Sequence, residues 1–311
     1  LNTLLDKWLE TAVKLRVSER THRNYEEDAR RYLRPTLGER QLVRIRPADI
    51  QELYAALLKR GLSPRTVRHC QIILHNAYEQ AIRWQLASAN PTLHVDLPRK
   101  EYKEMAAMSM DEADRFLSVA MSDPLYPLFA LLLGTGLRPS EAAGLKWSDL
   151  NASNRTLSVQ RTVQRPKGGG WTFDYTKTRR GKRTLPLPES LVATLLEHKH
   201  SAPPSAHGLM FPSLSGEPLD MRNVRNRNFA AVCERAGLTG FNLYSLRHTH
   251  ATLLLIDDVH PKKVSERLGH ATISITLDTY SHVMPNMQQE IAEKLEAMLF
   301  TPKGTEAKAV N

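Results

Sequence analysis

Thr156-Leu157-Ser158-Val159 alternates polar and apolar residues, the period of a half-buried strand. Gln160 to Arg165 is read as its continuation, Lys167-Gly168-Gly169-Gly170 as a loop, and Trp171 to Tyr175 as the return strand. Thr176-Lys177-Thr178-Arg179-Arg180-Gly181-Lys182-Arg183-Thr184 then leads into Leu185-Pro186-Leu187-Pro188. On both sides of this stretch the apolar spacing is helical. The fold class expected is therefore mainly α with a small antiparallel β-sheet: an N-terminal four-helix domain, then a mixed α+β domain.

Upstream, Leu1, Leu4, Leu5, Trp8, Leu9 and Ala12 share one helical face. A second helix is predicted after Ser18, with Tyr25, Ala29, Tyr32 and Leu33 inward and Pro35 and Gly38 ending it. A third runs from Pro47, with Ile50, Leu53, Tyr54, Leu57 and Leu58 inside, and stops at Gly61. Ser63 as N-cap and Pro64 at the first helical position start a fourth, whose inner face is Val67, Cys70, Leu74, Ala77, Tyr78 and Ala81. Asn90 to Lys103 reads as extended, rich in proline and charge, and marks the domain boundary. The expected division is 1–97 helical domain, 98–108 linker, 109–284 second domain, and 285–311 C-terminal helix and tail.

Downstream of the linker, Ser109-x-x-Glu112 is a capping box. A buried helix from about Pro124 to Leu133 ends in Gly134-Thr135-Gly136. That turn hands the chain to Leu137-Arg138-Pro139-Ser140-Glu141. Arg138 beside buried residues needs a partner or a ligand, and a plain bridge to Glu141 is one answer. Beyond the sheet, helices are predicted around Leu191, Val192, Leu195 and Leu196, from Met221 to Ala236, and around Leu243 to Leu254. Two short ones follow, Pro261 to Leu268 and Ile273 to Tyr280. Met287, Ile291, Leu295, Met298 and Leu299 line a last helix whose apolar stripe would dock on its own domain or a neighbour's.

The 311 residues carry a formal charge of +10, from 43 Lys+Arg against 33 Asp+Glu, which favours a polyanionic partner. Between Arg161 and Arg183 stand eight Lys/Arg and one acid, Asp174, a loop that repels itself unless a polyanion is present. Arg179, Arg180 and Lys182 are therefore candidate phosphate contacts. So are Arg65 and Arg68, with His69, at the start of the fourth helix, where a solvated face is the plainer reading. No run of about 18 apolar residues is long enough to span a membrane, and no secretory signal opens the chain. Cys70 and Cys233 stand far apart in helical patterns and read as core residues in a reducing compartment, so a cytoplasmic site of action is expected. The chain begins with Leu1, as a processed fragment would. His248 and His250 have no carboxylates or cysteines around them that would make a metal set.

Two arginines, a lysine and a histidine converging on a phenol would suit phosphodiester chemistry. The order Arg138, Lys177, Arg247, His270, Tyr280 supplies that set. Its local frames are Gly-Leu-Arg-Pro-Ser-Glu, Leu-Arg-His-Thr-His-Ala, Leu-Gly-His and Thr-Tyr-Ser-His. With these frames in this order, the whole chain resembles the tyrosine recombinases, or phage integrases. The long Gln164 to Trp171 insertion resembles the conjugative-transposon members. One position departs: three residues before Arg247, where the family has His or Lys, stands Tyr244, which can donate a hydrogen bond but cannot carry a positive charge.

The resemblance implies a helical core-binding domain and a catalytic domain that together clamp double-stranded DNA. It implies that Tyr280 attacks a phosphodiester to leave a 3′-phosphotyrosyl link, with Arg138, Arg247 and His270 on the phosphate and Lys177 as acid for the leaving 5′ oxygen. Tyr244 is carried as a further candidate. No metal, cofactor or ATP is implied, since the covalent link conserves the bond energy. Strand exchange implies a homotetramer in a synaptic complex, with the last helix docking in trans. The rivals are type IB topoisomerase-like relaxation and a non-enzymatic DNA-binding protein of the same fold.

Overall fold

Ser63 begins a 20-residue helix, Pro64–Arg83, by accepting the Thr66 N–H on its hydroxyl at 3.3 Å. Pro64 occupies the first turn, where a missing N–H leaves no bond unmade. The helix buries Val67, Cys70, Ile73, Leu74, Ala77, Tyr78 and Ala81. In the computed structural model, residues 1–99, 105–166, 169–175, 181–281 and 292–300 are described. The chain divides into two units, Leu1–Lys103 and Glu104–Asn311.

In the first unit the other helices are Asn2–Trp8, Glu19–Asp28, Arg34–Leu37 and Pro47–Lys59. Leu5, Trp8, Ala29, Leu33, Ile50 and Tyr54 join the Pro64–Arg83 face in one core. Each large apolar side chain so buried contributes roughly 1.5–3 kcal/mol. Three expectations are corrected. Pro35 does not end its helix. A widened turn over Ala29–Leu33, in which the Arg34 N–H reaches Ala29 O, re-registers the ladder ahead of the proline, and Leu37 beyond it is buried. Leu58 is 37% exposed, because it lies to one side of the Ile50–Leu57 stripe. The stretch after Asn90 is not uniformly extended. Asn90 Oδ1 accepts the Thr92 N–H at 3.0 Å and starts a short 3-10 turn, Pro91–His94.

The second unit opens on the expected box: Ser109 N–H donates to Glu112 Oε2, and Ser109 Oγ accepts the Glu112 N–H. Helices Met110–Ala120 and Tyr126–Thr135 pack Phe116 and Phe129 against Phe229, with ring centroids 5.3–6.1 Å apart. Leu132, Leu137, Leu195, Phe211 and Leu246 complete this core. Leu196, on the expected helix, is 37% exposed.

The single sheet foreseen is two. Strands β1 (Leu150–Asn151), β2 (Thr156–Val159) and β5 (Arg183–Pro186) form an antiparallel sheet in the order β1-β2-β5. Strands β3 (Arg161–Gln164) and β4 (Thr172–Tyr175) form a second antiparallel pair. Gln160 is the residue at which the partner changes. Leu157 pairs with Leu185, whereas Val163 pairs with Phe173. Two four-residue return strands cover successive halves of the run, so its alternation continues while its neighbour does not. After the sheets come Glu189–Ser201, a composite helix from Met221 to Arg235, then Ser245–Ile256, Pro261–Leu268 and Ile273–Tyr280. The expected C-terminal helix begins partly outside the described residues; 292–300 are helical, with Leu295, Met298, Leu299 and Phe300 exposed. No described helix is long and apolar enough to cross a membrane.

Candidate active site

Gly136 ends the helix Tyr126–Thr135 in the left-handed conformation, φ 66°. A Cβ there would stand 2.6 Å from both His250 Cδ2 and Leu268 Cδ2, so the close approach as well as the φ requires glycine. The turn delivers Arg138 to the start of the short helix Pro139–Ala142. Its Nη1 donates to Glu141 Oε1 at 2.8 Å, and its backbone N–H donates to Glu141 Oε2 at 2.9 Å. Glu141 is fully enclosed and is shared with Arg183, whose Nη1 and Nη2 reach Oε1 and Oε2 at 3.2 and 3.0 Å. Burial alone would raise this carboxyl. Hydrogen bonds and charge from Arg183, then Arg138, outweigh it and hold the group below the ordinary glutamate range.

The C-terminus of Pro261–Leu268 organises the cations. Gly269, at φ 68°, stops the helix and leaves its last carbonyls without intrahelical partners. Three consecutive carbonyls are taken by three arginines. Arg183 Nε donates to Arg267 O at 2.8 Å, Arg247 Nη2 to Leu268 O at 2.9 Å, and Arg138 Nη2 to Gly269 O at 3.4 Å. The negative end of the helix dipole favours cations at this place. Arg247 is buried on Ser245–Ile256 and donates a second time, from Nη1 to Gly136 O at 2.7 Å. Burial, then the charge of Arg138, pushes its guanidinium down to about 10, which leaves it charged at neutral pH.

His270 follows the same glycine. Its Nδ1 is 2.8 Å from Thr276 Oγ1, and Thr276 is itself enclosed, so one ring nitrogen is committed and the ring is oriented. Burial, then Arg247, Arg138 and Arg183, depresses it to about 4, so it is neutral at pH 7. Lys182, Arg183 and Lys262 line a cleft beside it with Gly269 and Ile273.

Tyr280 closes Ile273–Tyr280 and is 3% exposed, packed with Ala251, Leu255, Val264 and Leu268. Its hydroxyl lies 2.8 Å from His248 Nδ1. Burial pushes the phenol up to about 12, against the opposing charge of Arg247. Two anchored guanidiniums, an oriented neutral imidazole and a sequestered phenol form a set able to hold a tetrahedral anion and offer it a nucleophile.

Arg138, Arg247, His270 and Tyr280 are thus brought to one locality by the Leu268–His270 turn and the helices packed on it. Tyr244, at the N-cap of Ser245–Ile256, is 46% exposed, and its phenol makes no hydrogen bond to a described residue. Lys177, Arg179 and Arg180 lie outside the described residues. Lys182 is exposed on the basic cleft. In the first unit Arg65 is exposed, whereas Arg68 spends its Nε on Pro98 O at 2.9 Å. The sequence pattern does not single out His248 or Arg183. In the sequence His248 stands in the Leu-Arg-His frame with nothing to tie it to Tyr280, and Arg183 is one of the run of loop charges.

The profile of the phage integrase family matches residues 97–287, and that of the phage integrase N-terminal SAM-like domain matches residues 1–58. The chain belongs to the phage integrase family. A relative of this integrase is the XerC-like tyrosine recombinase of Caldanaerobacter subterraneus subsp. tengcongensis, 28% identical over 95% of this chain and 82% of that protein. Its fold is similar to the Tn1549 transposon integrase in complex with a circular intermediate DNA. The TM-score is 0.84 at 23% identity, over 94% of this chain and 98% of the other. It is also similar to a lambda integrase tetramer bound to a Holliday junction, with TM-score 0.70 at 20% identity over 89% of this chain and 76% of that one. The integrase fold therefore accounts for both units, the helical first one and the mixed second one.

Proposed function

We propose that this integrase is a site-specific DNA recombinase of the transposon type whose nucleophile is Tyr280. The phenol oxygen attacks a phosphodiester, the 5′ oxygen leaves, and a 3′-phosphotyrosyl link holds the bond energy until another 5′-hydroxyl reverses the step. The observation that carries this reading is the row of carbonyls at Arg267, Leu268 and Gly269, which holds Arg183, Arg247 and Arg138 in fixed directions beside His270. Charge grows on the non-bridging oxygens in the transition state, and pre-placed forked donors stabilise it without reorganising. We assign His270 Nδ1 as acceptor of the Thr276 hydroxyl, which leaves Nε2–H for a phosphate oxygen. Lys177 is assigned the proton for the leaving 5′ oxygen.

Residues 1–97 are assigned to one side of a clamp on double-stranded DNA and 109–284 to the other, joined through 98–108. Arg65, Arg68, Arg179, Arg180 and Lys182 are assigned to phosphates. Arg68 serves there only by giving up its bond to Pro98 or by using its remaining donors. Exchange between two duplexes needs four active sites, hence a homotetramer, and the exposed Leu295, Met298, Leu299 and Phe300 support docking of the tail on a neighbouring protomer. The reaction is placed on DNA in the cytoplasm, with no metal or cofactor assigned.

A nicked suicide duplex carrying the cognate site tests the reading, because the short 5′ fragment diffuses away and traps the adduct. Wild type forms a covalent protein–DNA band and Tyr280→Phe forms none. Persistence of the band in Tyr280→Phe would sink the assignment.

A further inference from the structure

His248 follows Arg247 on the helix Ser245–Ile256 and reaches a residue 32 positions downstream. Its Nδ1 lies 2.8 Å from the Tyr280 hydroxyl, with the two rings 5.8 Å apart between centroids. Among the described residues, His248 is the hydrogen-bond partner of that hydroxyl. Tyr244, three residues before Arg247, is about half in solvent and makes no hydrogen bond from its phenol to a described residue. A phenol attacking phosphorus must lose its proton, and a base has to be within hydrogen-bond reach of that proton.

We propose that His248 is the base that takes the Tyr280 proton during cleavage, an inference that rests on Tyr280 being the nucleophile. As the Oη–phosphorus bond forms, the Oη–H bond breaks and the proton passes to His248 Nδ1. The bond from phosphorus to the 5′ oxygen breaks in the same displacement, and that oxygen takes its proton from the acid. On rejoining, the 5′-hydroxyl attacks and gives its proton back to the deprotonated acid, while the proton on His248 returns to the departing Tyr280 oxygen. Protons and electron pairs balance in each direction.

The surroundings fit this role. Burial, then the charge of Arg247, holds His248 at about 4, so its ring is neutral at pH 7 and Nδ1 offers a lone pair when Nε2 carries the hydrogen. The phenol stands at about 12, so without substrate the proton stays on oxygen and the nucleophile is idle. A phosphate seated against Arg247 offsets part of the charge that depresses His248. Its basicity therefore rises when the substrate is present. After burial, Arg247 on its own helix is the charge that sets it; the Tyr280 ring on Ile273–Tyr280 lies against the imidazole, and His248 in turn adds to the lowering of His270.

Single-turnover cleavage of the nicked suicide duplex by the full chain tests this with His248→Ala and His248→Gln. Glutamine can accept the phenol hydrogen bond but cannot keep a proton. Both variants should shift DNA as wild type does and cleave about 10²–10⁴-fold more slowly, the range for a lost general base. Added imidazole should restore His248→Ala in proportion to its unprotonated form. Cleavage by His248→Gln at the wild-type rate would overturn the proposal. Slow cleavage by both variants with no imidazole rescue and an unchanged pH profile, or loss of DNA binding by both, would overturn it too and leave a packing role. If wild type forms no adduct, the Tyr280 reading fails first and His248 falls with it.

Discussion

Arg183 Nη2 donates to Glu141 Oε2 at 3.0 Å across 42 positions of chain, and Glu141 is the same carboxylate that braces Arg138. The start of β5 is thereby tied to the turn that presents Arg138. Because Arg183 also grips Arg267 O, one side chain joins the sheet, the Arg138 turn and the end of Pro261–Leu268. A site built this way depends on a buried negative charge that no ligand needs to touch.

Glu141→Gln should therefore act at a distance from the DNA. Removing one member of a buried ion cluster leaves the others uncompensated and costs about 3–5 kcal/mol. The folded-state acidity of Glu141 is stronger than in the unfolded chain, so its contribution is present above the ordinary glutamate range. It is lost as pH falls through the folded value. Urea midpoints of wild type and Glu141→Gln should differ at pH 7 and approach each other in acid. Equal midpoints at pH 7 would show that the cluster adds nothing.

Arg138→Lys should keep DNA binding and lose cleavage by about 10²–10³-fold, the usual effect of removing one transition-state donor. A lysine offers a point charge and cannot reach Glu141, Gly269 O and a phosphate oxygen with one planar fork. Mobility shift and single-turnover cleavage read the two effects separately. Undiminished cleavage would make Arg138 a structural bridge.

Gly136→Ala should destabilise the second unit by about 1–3 kcal/mol, since it forces a side chain into the left-handed region and against His250 and Leu268. It should also weaken cleavage, because Gly136 O is one of the two acceptors that orient Arg247. A lower thermal midpoint with reduced cleavage is the expected pair of results. An unchanged midpoint would contradict the close approach.

Three histidines, His248, His250 and His270, are each held near 4 by burial. In the unfolded chain each takes up its proton near 6.5. Depressed folded values mean the stability is present above that pH and lost as pH falls towards 4. Urea unfolding of the DNA-free protein between pH 7 and pH 4 should show a steady decline. A flat profile would mean that the imidazoles are already charged in the fold.

The sequence reveals the helices of the first unit well, because caps and apolar spacing act locally: Ser63, Pro64 and the Val67–Ala81 face are where the pattern puts them. It misses what is set by a distant partner. The change of neighbour at Gln160 leaves the alternation intact, so nothing local marks it. Pro35 reads as a stop because the widened turn before it has no sequence signature here. In the site, Arg138, Arg247, His270 and Tyr280 could be picked out by frame and order. The place of His248 has no local sign, since its contact with Tyr280, 32 residues on, depends on how the two helices carrying them are packed. In the sequence Arg183 is one more loop charge; its contacts with Glu141 and Arg267 O depend on residues 42 and 84 positions away.

The most direct test is to locate the covalent bond. Wild-type protein trapped on a nicked suicide duplex, digested with protease and nuclease, should give a single nucleotide-bearing peptide with the phosphate on Tyr280. A phosphate found on Tyr244, or an adduct with no phosphotyrosine, would contradict the account.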